Sequence, residues 1–577
     1  MKFQEKINVA GQLVLEESLA CSELVLQENA AVQAAAGAVV LFVNGVQTQL
    51  QPGTYTGRVI LAVSNATNVD VEDHNRMVHH TMPAAVSIVD GKYRQEDSFP
   101  DAVISGSVQD GSCSGVTVVS RGDNFGGIYV GGSGSYEISD AVFDLVGNGA
   151  NDGFGYGAAI AARDEAKVTV NRTRIHNVGS IRTALVASGH SEVEVNDSVL
   201  YCKDGNRKNY VKAMSKAPWM LGISGRVRAT NAQDYAKVTY NRCEITAENW
   251  GALSTDGTKD VHLQLHDCRV RTESSGYGTY VMGASCSTTF DHCALDVADY
   301  GAICCSGGTC VIENGSTVVS RKNGVMSHRG DAKITVSDSS VVSRRESFFF
   351  KDAGGSLTLR NATLASDIGV LVRSIKDDDP NGRVAVLGPE TVMDVPPGGF
   401  PEDQAASGGP GAGGPGGPGA GGPGGPGAGG PGGPGAGGPG GGSAFGPLQV
   451  TVIDSELQGD LLHASTAYND LTVTLENSTL TGAVSSCTAS HINGLPDTPE
   501  QYREIGVVES VSCPNDDPYG VSVILQGTSV WTVTETCWLR RLVIGENAAV
   551  EGAQLLISGK KVPLQPGEYT GKITLKV

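Results

Sequence analysis

Short runs in which apolar and polar residues alternate recur along this chain, and none of them keeps a helical period. Val261-His262-Leu263-Gln264-Leu265, Lys333-Ile334-Thr335-Val336 and Ser356-Leu357-Thr358-Leu359 read as half-buried strands rich in β-branched and apolar residues. A second run accompanies each of them, and between Trp250 and Arg373 it is written six times: Trp250-Gly251-Ala252-Leu253, Tyr277-Gly278-Thr279-Tyr280, Tyr300-Gly301-Ala302-Ile303, Asn323-Gly324-Val325-Met326, Glu346-Ser347-Phe348-Phe349 and Ile368-Gly369-Val370-Leu371. The starts lie 27, 23, 23, 23 and 22 residues apart. Short tails follow, such as Asp267-Cys268-Arg269-Val270 and Asn361-Ala362-Thr363-Leu364, with Gly, Asp, Asn and Ser at the joints, where turns are expected. A fixed period of this size predicts a solenoid. About three short strands per period predict one coil of a parallel β-helix, with equivalent strands stacked about 4.8 Å apart.

The repeat resembles that of the right-handed, pectate-lyase-like β-helix superfamily over roughly residues 100–545. The expected fold class is all-β, a single-stranded right-handed parallel β-helix solenoid with related N- and C-terminal cap motifs. The caps are read from a second repeat. Glu28-Asn29-Ala30-Ala31-Val32 recurs as Glu546-Asn547-Ala548-Ala549-Val550, and Leu50-Gln51-Pro52-Gly53-Thr54-Tyr55-Thr56-Gly57 recurs as Leu564-Gln565-Pro566-Gly567-Glu568-Tyr569-Thr570-Gly571. Solenoid ends are open edges that must be covered, so a motif found near both ends predicts shared capping work. The expected divisions are a cap module over 1–63, an irregular segment over 64–100, β-helix over 101–399, a disordered Gly/Pro-rich insertion over 400–446, β-helix again over 447–545 and a cap motif over 546–577.

The chain has 577 residues, 78 of them Gly, and a net charge of −20. The acidic balance argues against nucleic acid as a partner, and no apolar run is long enough to cross a membrane. The 13 cysteines are odd in number and lack the pairing of a disulfide scaffold. Cys243, Cys268 and Cys293 fall 25 apart at one repeat position and are expected to form a buried interior row rather than a metal site. Free thiols and the absence of a visible signal peptide favour a cytoplasmic location, with surface exposure or secretion as the alternative.

Alternate residues of a strand face opposite ways. In the six-fold phrase, positions three and five are small or branched and suit the interior. Positions four (Leu253, Tyr280, Ile303, Met326, Phe349, Leu371) and six (Thr255, Met282, Cys305, His328, Lys351, Arg373) then face outward. An apolar stripe beside cations on an outer face predicts a ligand, a partner or a covering loop. Residues 320–376 carry ten Lys/Arg against five Asp/Glu, which suits an anionic ligand in an otherwise acidic protein.

The expected catalytic residues are His328, as general acid or base, with Lys351 and Tyr280. The expected substrate contacts are Arg373, Arg329, Cys305, Phe349 and Asp352, with Lys212 and Trp219 from a basic insertion over 203–219 acting as a flap. Clustered cations beside a proton-transfer residue suit proton abstraction next to a carboxylate. The expected function is therefore a lyase or isomerase acting on a uronate-like or aromatic acid, a small molecule or a glycan. The resemblance implies anionic sugars held on an outer face by Arg and Lys, often with Ca²⁺, but this strip has no acidic cluster, and neither a metal nor a cofactor is expected. The alternatives are a non-catalytic carbohydrate-binding or adhesion protein, a glycan hydrolase using carboxylates such as Asp256 or Asp352, and a strip that is only an oligomer contact or a seat for the 201–218 loop.

Overall fold

The computed structural model describes residues 1–73, 76–149, 151–205, 222–223, 225–256, 259–378, 445–495 and 499–577. Lys212, Trp219 and the Gly/Pro-rich stretch, with the flap and insertion expected there, lie outside the described residues. Strands make up 61% of the structure, the long sheet is mostly parallel, and there is no α-helix among the described residues, so the chain is an all-β parallel β-helix solenoid. The described residues divide into two compact units, one built mainly from residues 1–205 and 225–263, the other mainly from 264–378 and 445–577.

In the first unit three strand positions repeat per coil. Gly126–Gly131, Ile160–Ala162 and Leu185–Ala187 stack in parallel with Ile128, Ile160 and Leu185 in one column. Ser135–Ser139, Lys167–Asn171, Glu192–Asn196 and Lys237–Asn241 form the second wall. Val142–Val146, Arg174–Val178, Val199–Lys203 and Glu244–Ala247 form the third. The segment expected to be irregular is more ordered than its sequence suggests. Residues 67–82 form an antiparallel hairpin, and Ala84–Val89 is already a coil strand, paired in parallel with Gly126–Gly131. Its charged, His-rich composition hid the hairpin.

The second unit is built on the same plan. Tyr277–Met282 and Tyr300–Cys305 stack in parallel, and Cys305 leads to His328 and then Lys351 in the next two coils. Leu448–Ile453 adds directly to residues 355–360, so the coil series resumes after the insertion where the sequence places it.

One turn explains how the coils stay in register. Asp140, Arg172, Asp197 and Arg242 in the first unit, and Asp267, His292, Asp338, Asn361, Asp454 and Asn477 in the second, all take left-handed backbone angles, with φ from 45° to 55°. Asp and Asn tolerate that region best among non-glycine residues. The next residue is small and usually polar, and its side chain accepts a backbone N–H from the preceding coil. Thr173 donates to Ser198 Oγ (3.0 Å), Cys293 to Ser316 Oγ (2.9 Å), Ser316 to Ser339 Oγ (3.1 Å) and Ser455 to Ser478 Oγ (3.1 Å). The cysteine row belongs to this ladder, since the Cys268 N–H reaches Cys293 Sγ at 3.4 Å. None of the 13 cysteines is joined in a disulfide.

The two cap motifs fold alike. Leu19–Leu26 pairs antiparallel with Gly53–Ser64, and Cys537–Ile544 pairs antiparallel with Gly567–Lys576, each with an irregularity at the same point. In each, the repeated tyrosine folds back on its own loop. Tyr55 Oη donates to Gln51 O at 2.7 Å and Tyr569 Oη to Gln565 O at 2.8 Å.

Removing one ladder acceptor leaves a buried N–H unpaired. Ser339→Ala is expected to cost about 1–3 kcal/mol. Cys293→Ser keeps an acceptor of similar size and should stay within about 1 kcal/mol of the parent. Urea midpoints of the two variants test the difference.

Candidate functional site: a basic strip beneath a hairpin arm

The outer strip of the second unit is assembled from two columns. Tyr280, Ile303, Met326 and Phe349 follow one another in register, and beside them run Met282, Cys305, His328 and Lys351. Arg373 does not extend the second column. It stands over Phe349 in the first column, and Ile375 stands over Lys351. The cause is local. Gly369 has φ +72° and belongs to a turn closed onto Ser366, so the strand begins at Val370, two residues later than the repeated phrase suggests.

A ligand, a partner or a covering loop, with residues 201–218 as one candidate, was expected on the strip, and it is covered by a different segment. His328, Lys351, Phe349, Arg373, Cys305 and Tyr280 are all buried. The cover is an arm that leaves the coil after residues 484–486, which still stack on Asp460–His463. The strands Val484–His491 and Val508–Ser512 pair antiparallel, and the short 3-10 helix Pro499–Glu504 lies between them in the chain. Gly506 sits on the ring of Phe349. A Cβ there would meet the ring at 3.2 Å, and φ is +74°, so both space and backbone call for glycine.

Polar contacts fasten the arm down. Lys322 Nζ donates to Ile505 O (2.8 Å), Arg345 and Arg373 donate to Val508 O (2.7 and 2.8 Å), and the Gly506 N–H donates to Asp378 Oδ2 (2.6 Å). His491 Nε2 lies 2.9 Å from Asp378, and Arg503 reaches the buried Asp299 at 2.7 Å.

The cations of the strip meet carboxylates of this chain. Lys351 Nζ lies 2.5 Å from Asp378 and 3.6 Å from Asp377. Arg329 grips Asp377 through two nitrogens, with Nε at 2.8 Å. Arg373 Nε is 3.1 Å from Glu346, which also accepts from Asn323 at 2.7 Å. Burial alone would push Asp377 and Asp378 up. The surrounding Lys351, His328, Arg329 and His491 overcome it and hold both carboxyls well below the usual carboxylate range. Asp352 goes the other way, raised by burial beside Asp377.

One further line of groups has chemical potential. Cys305 Sγ lies 3.9 Å from His328 Nδ1, and His328 Nε2 lies 3.8 Å from Asp377. Burial opposes the thiolate, but His328 and Tyr280 outweigh it, and the thiol titrates below its ordinary value. Thiol, imidazole and carboxylate thus stand in the order of an activated nucleophile, at separations longer than catalytic hydrogen bonds.

Tyr280, His328, Lys351, Phe349, Cys305, Arg329, Asp352 and Arg373 therefore do gather in one place. Sequence reasoning missed Glu346, Asp377, Asp378, His491 and Arg503. One signal was present, because Glu346 is the one charged residue in a slot of the repeated phrase held elsewhere by Trp, Tyr, Asn or Ile. Asp256, proposed as a hydrolase carboxylate, is instead paired with the buried Arg228, whose Nε also lies 2.6 Å from Asp152. Comparison with protein-family models, with curated proteins and with solved structures finds no match to this chain.

Removing one partner of a buried ion pair strands the other. Lys351→Met is expected to destabilise the second unit by about 3–5 kcal/mol, read as a lowered melting temperature. The pH dependence has two parts. Asp377 and Asp378 have depressed folded values, so their contribution is complete above the unfolded carboxylate range and is lost as pH falls below it. His463 is buried and lowered to about 4, mainly by desolvation. Its Nε2–H donates to Asn469 O at 2.8 Å, which leaves Nδ1 to accept from Ser374. An unfolded histidine binds its proton from about pH 6.5 downward. Stability should therefore fall by up to about 3 kcal/mol as pH drops from 6.5 to 4, and His463→Gln should flatten that part of the curve.

Proposed function

We propose that this protein is a non-catalytic β-helical binding or adhesion protein of the right-handed, pectate-lyase-like kind, with the basic strip serving as the seat of a structural latch. The observation that carries this reading is charge balance. The Lys and Arg groups that would receive an anionic substrate already hold Asp377, Asp378 and Glu346, and residues 503–508 of the arm lie over them.

A partly exposed wall of the first unit, with His176 exposed and Asp144 and Tyr201 half-buried, offers a surface suited to a neutral or acidic glycan. Asp144, His176 and Tyr201 stand in one row across three coils. The His176 and Tyr201 rings stack 5.6 Å apart at 6°. Asp144 is ion-paired with Arg121 and lies 3.3 Å from His176 Nδ1. A flat aromatic pair beside a carboxylate and a guanidinium can take the apolar face of a sugar ring and its hydroxyls together.

A glycan panel scored by calorimetry and by product analysis tests the reading. Binding without turnover is expected, abolished in His176→Ala/Tyr201→Ala and unchanged in His328→Ala. The ordered Cys305–His328–Asp377 line favours a second reading, a lyase or other enzyme whose arm must open. Turnover with a bell-shaped pH profile that disappears in His328→Ala would establish that reading and refute the first.

A further inference from the structure

The two cap modules correspond strand for strand over seven strands. In the N-terminal module these are Lys2–Val9, Gln12–Leu15, Leu19–Leu26, Ala31–Ala34, Ala38–Val43, Val46–Thr48 and Gly53–Ser64. In the C-terminal module they are Val521–Gln526, Val530–Thr532, Cys537–Ile544, Ala549–Glu551, Gln554–Ile557, Lys560–Lys561 and Gly567–Lys576. The pairings match throughout. First and third strands run parallel, second and fourth parallel, third and seventh antiparallel, fifth and seventh antiparallel, and fifth and sixth form a tight hairpin. Even the hairpin turns agree, with Asn44-Gly45 and Ser558-Gly559 both at positive φ.

Each module therefore has two mating faces, and each copy uses a different one. In the C-terminal module the first-strand face is occupied. Val521–Gln526 stacks on Leu471–Glu476 through six registered pairs, and Val530–Thr532 stacks on Thr479–Thr481. In the N-terminal module the equivalent strands pair only with strands of their own module among the described residues, and Met1, Phe3 and Val14 are exposed.

The hairpin face is used the other way round. In the N-terminal module Val46–Thr48 adds in parallel to Ser120 and Arg121 at the open start of a coil. Gln47 is buried against Ser120 there, with Phe42 and Ile60 buried beside it. In the C-terminal module Lys560–Lys561 pairs only with its own hairpin among the described residues, and Leu556 and Thr574, which replace Phe42 and Ile60, are partly exposed.

A hairpin face that seats on the start of a coil is thus left open in one module, and the start of a coil is left open in the other. We propose that the protein self-associates head to tail, the Lys560–Lys561 hairpin edge of one copy adding to the exposed Lys2–Val9 and Gln12–Leu15 coil of the next. Charge favours the contact. Residues 537–577 carry six Lys/Arg against three Glu, whereas residues 1–63 carry three against five. The joint is heterologous, so unless the rotation between copies closes a ring it predicts chains of growing length rather than an isologous dimer.

Sedimentation velocity of the full chain over a wide concentration range, at low and high salt, tests this. The expected result is a series of species that lengthens with concentration and shortens with salt. The Lys560→Glu/Lys561→Glu variant should associate at least about tenfold more weakly with an unchanged melting temperature. A wild-type monomer at every concentration would overturn the proposal and make the two lysines guards of a sheet edge. A species that stops at a dimer, or association that charge reversal leaves untouched, would overturn it as well.

Discussion

A stacked coil cannot satisfy itself. Its backbone groups point along the axis, so every coil depends on the next one for its hydrogen bonds and its register. In this protein the register is fixed at one corner, where a left-handed Asp, Asn, Arg or His is followed by a small side chain that takes the N–H of the neighbouring coil. The contribution of one such bond is modest, about 1 kcal/mol, but the same bond recurs coil after coil. A slip of one residue would break the whole series and turn the interior columns outward. Serine and cysteine interchange along the row because both offer a compact acceptor there, which also accounts for the spacing of the cysteines at regular intervals.

The same dependence makes the latch tolerable. Burying cations over a row of apolar side chains is costly unless each one finds a partner. Here the partners come from three places in sequence: Glu346 on the coil itself, Asp377 and Asp378 just past its last strand, and backbone carbonyls of the arm. The attachment runs both ways: Lys322, Arg345 and Arg373 donate to carbonyl oxygens of the arm, and the arm's own Gly506 N–H, His491 and Arg503 reach the buried Asp378 and Asp299, which ties the arm to the coil by shape and direction as much as by charge.

How much of this was readable beforehand follows from what kind of signal each feature leaves. The coils were legible because a period is a global property that single irregularities do not erase. The cap modules were legible from two near-identical phrases, although their full seven-strand correspondence was not, since residues such as Phe42 and Leu556 or Gln47 and Lys561 differ in chemistry while sharing a place. His328, Lys351 and Cys305 were correctly brought together because they occur at one position of a regular repeat. Arg373 was misplaced because Gly369 imitates the strand glycines Gly301 and Gly324 while serving a turn. The arm left no local trace, since what covers the strip lies far along the chain and is recognised only by where its carbonyls end up.

That separation in sequence has a temporal consequence. Arg373 and Val508 are 135 residues apart, and Lys322 and Ile505 are 183 apart. A ribosome delivers the coils first and the arm later, at about 5–20 residues per second. For several seconds the nascent solenoid carries a basic, partly apolar stripe in open water. Chaperones, or a neighbouring nascent chain, would meet that stripe before its own cover is made, so the interval before arm docking is when this protein is most exposed to mispairing.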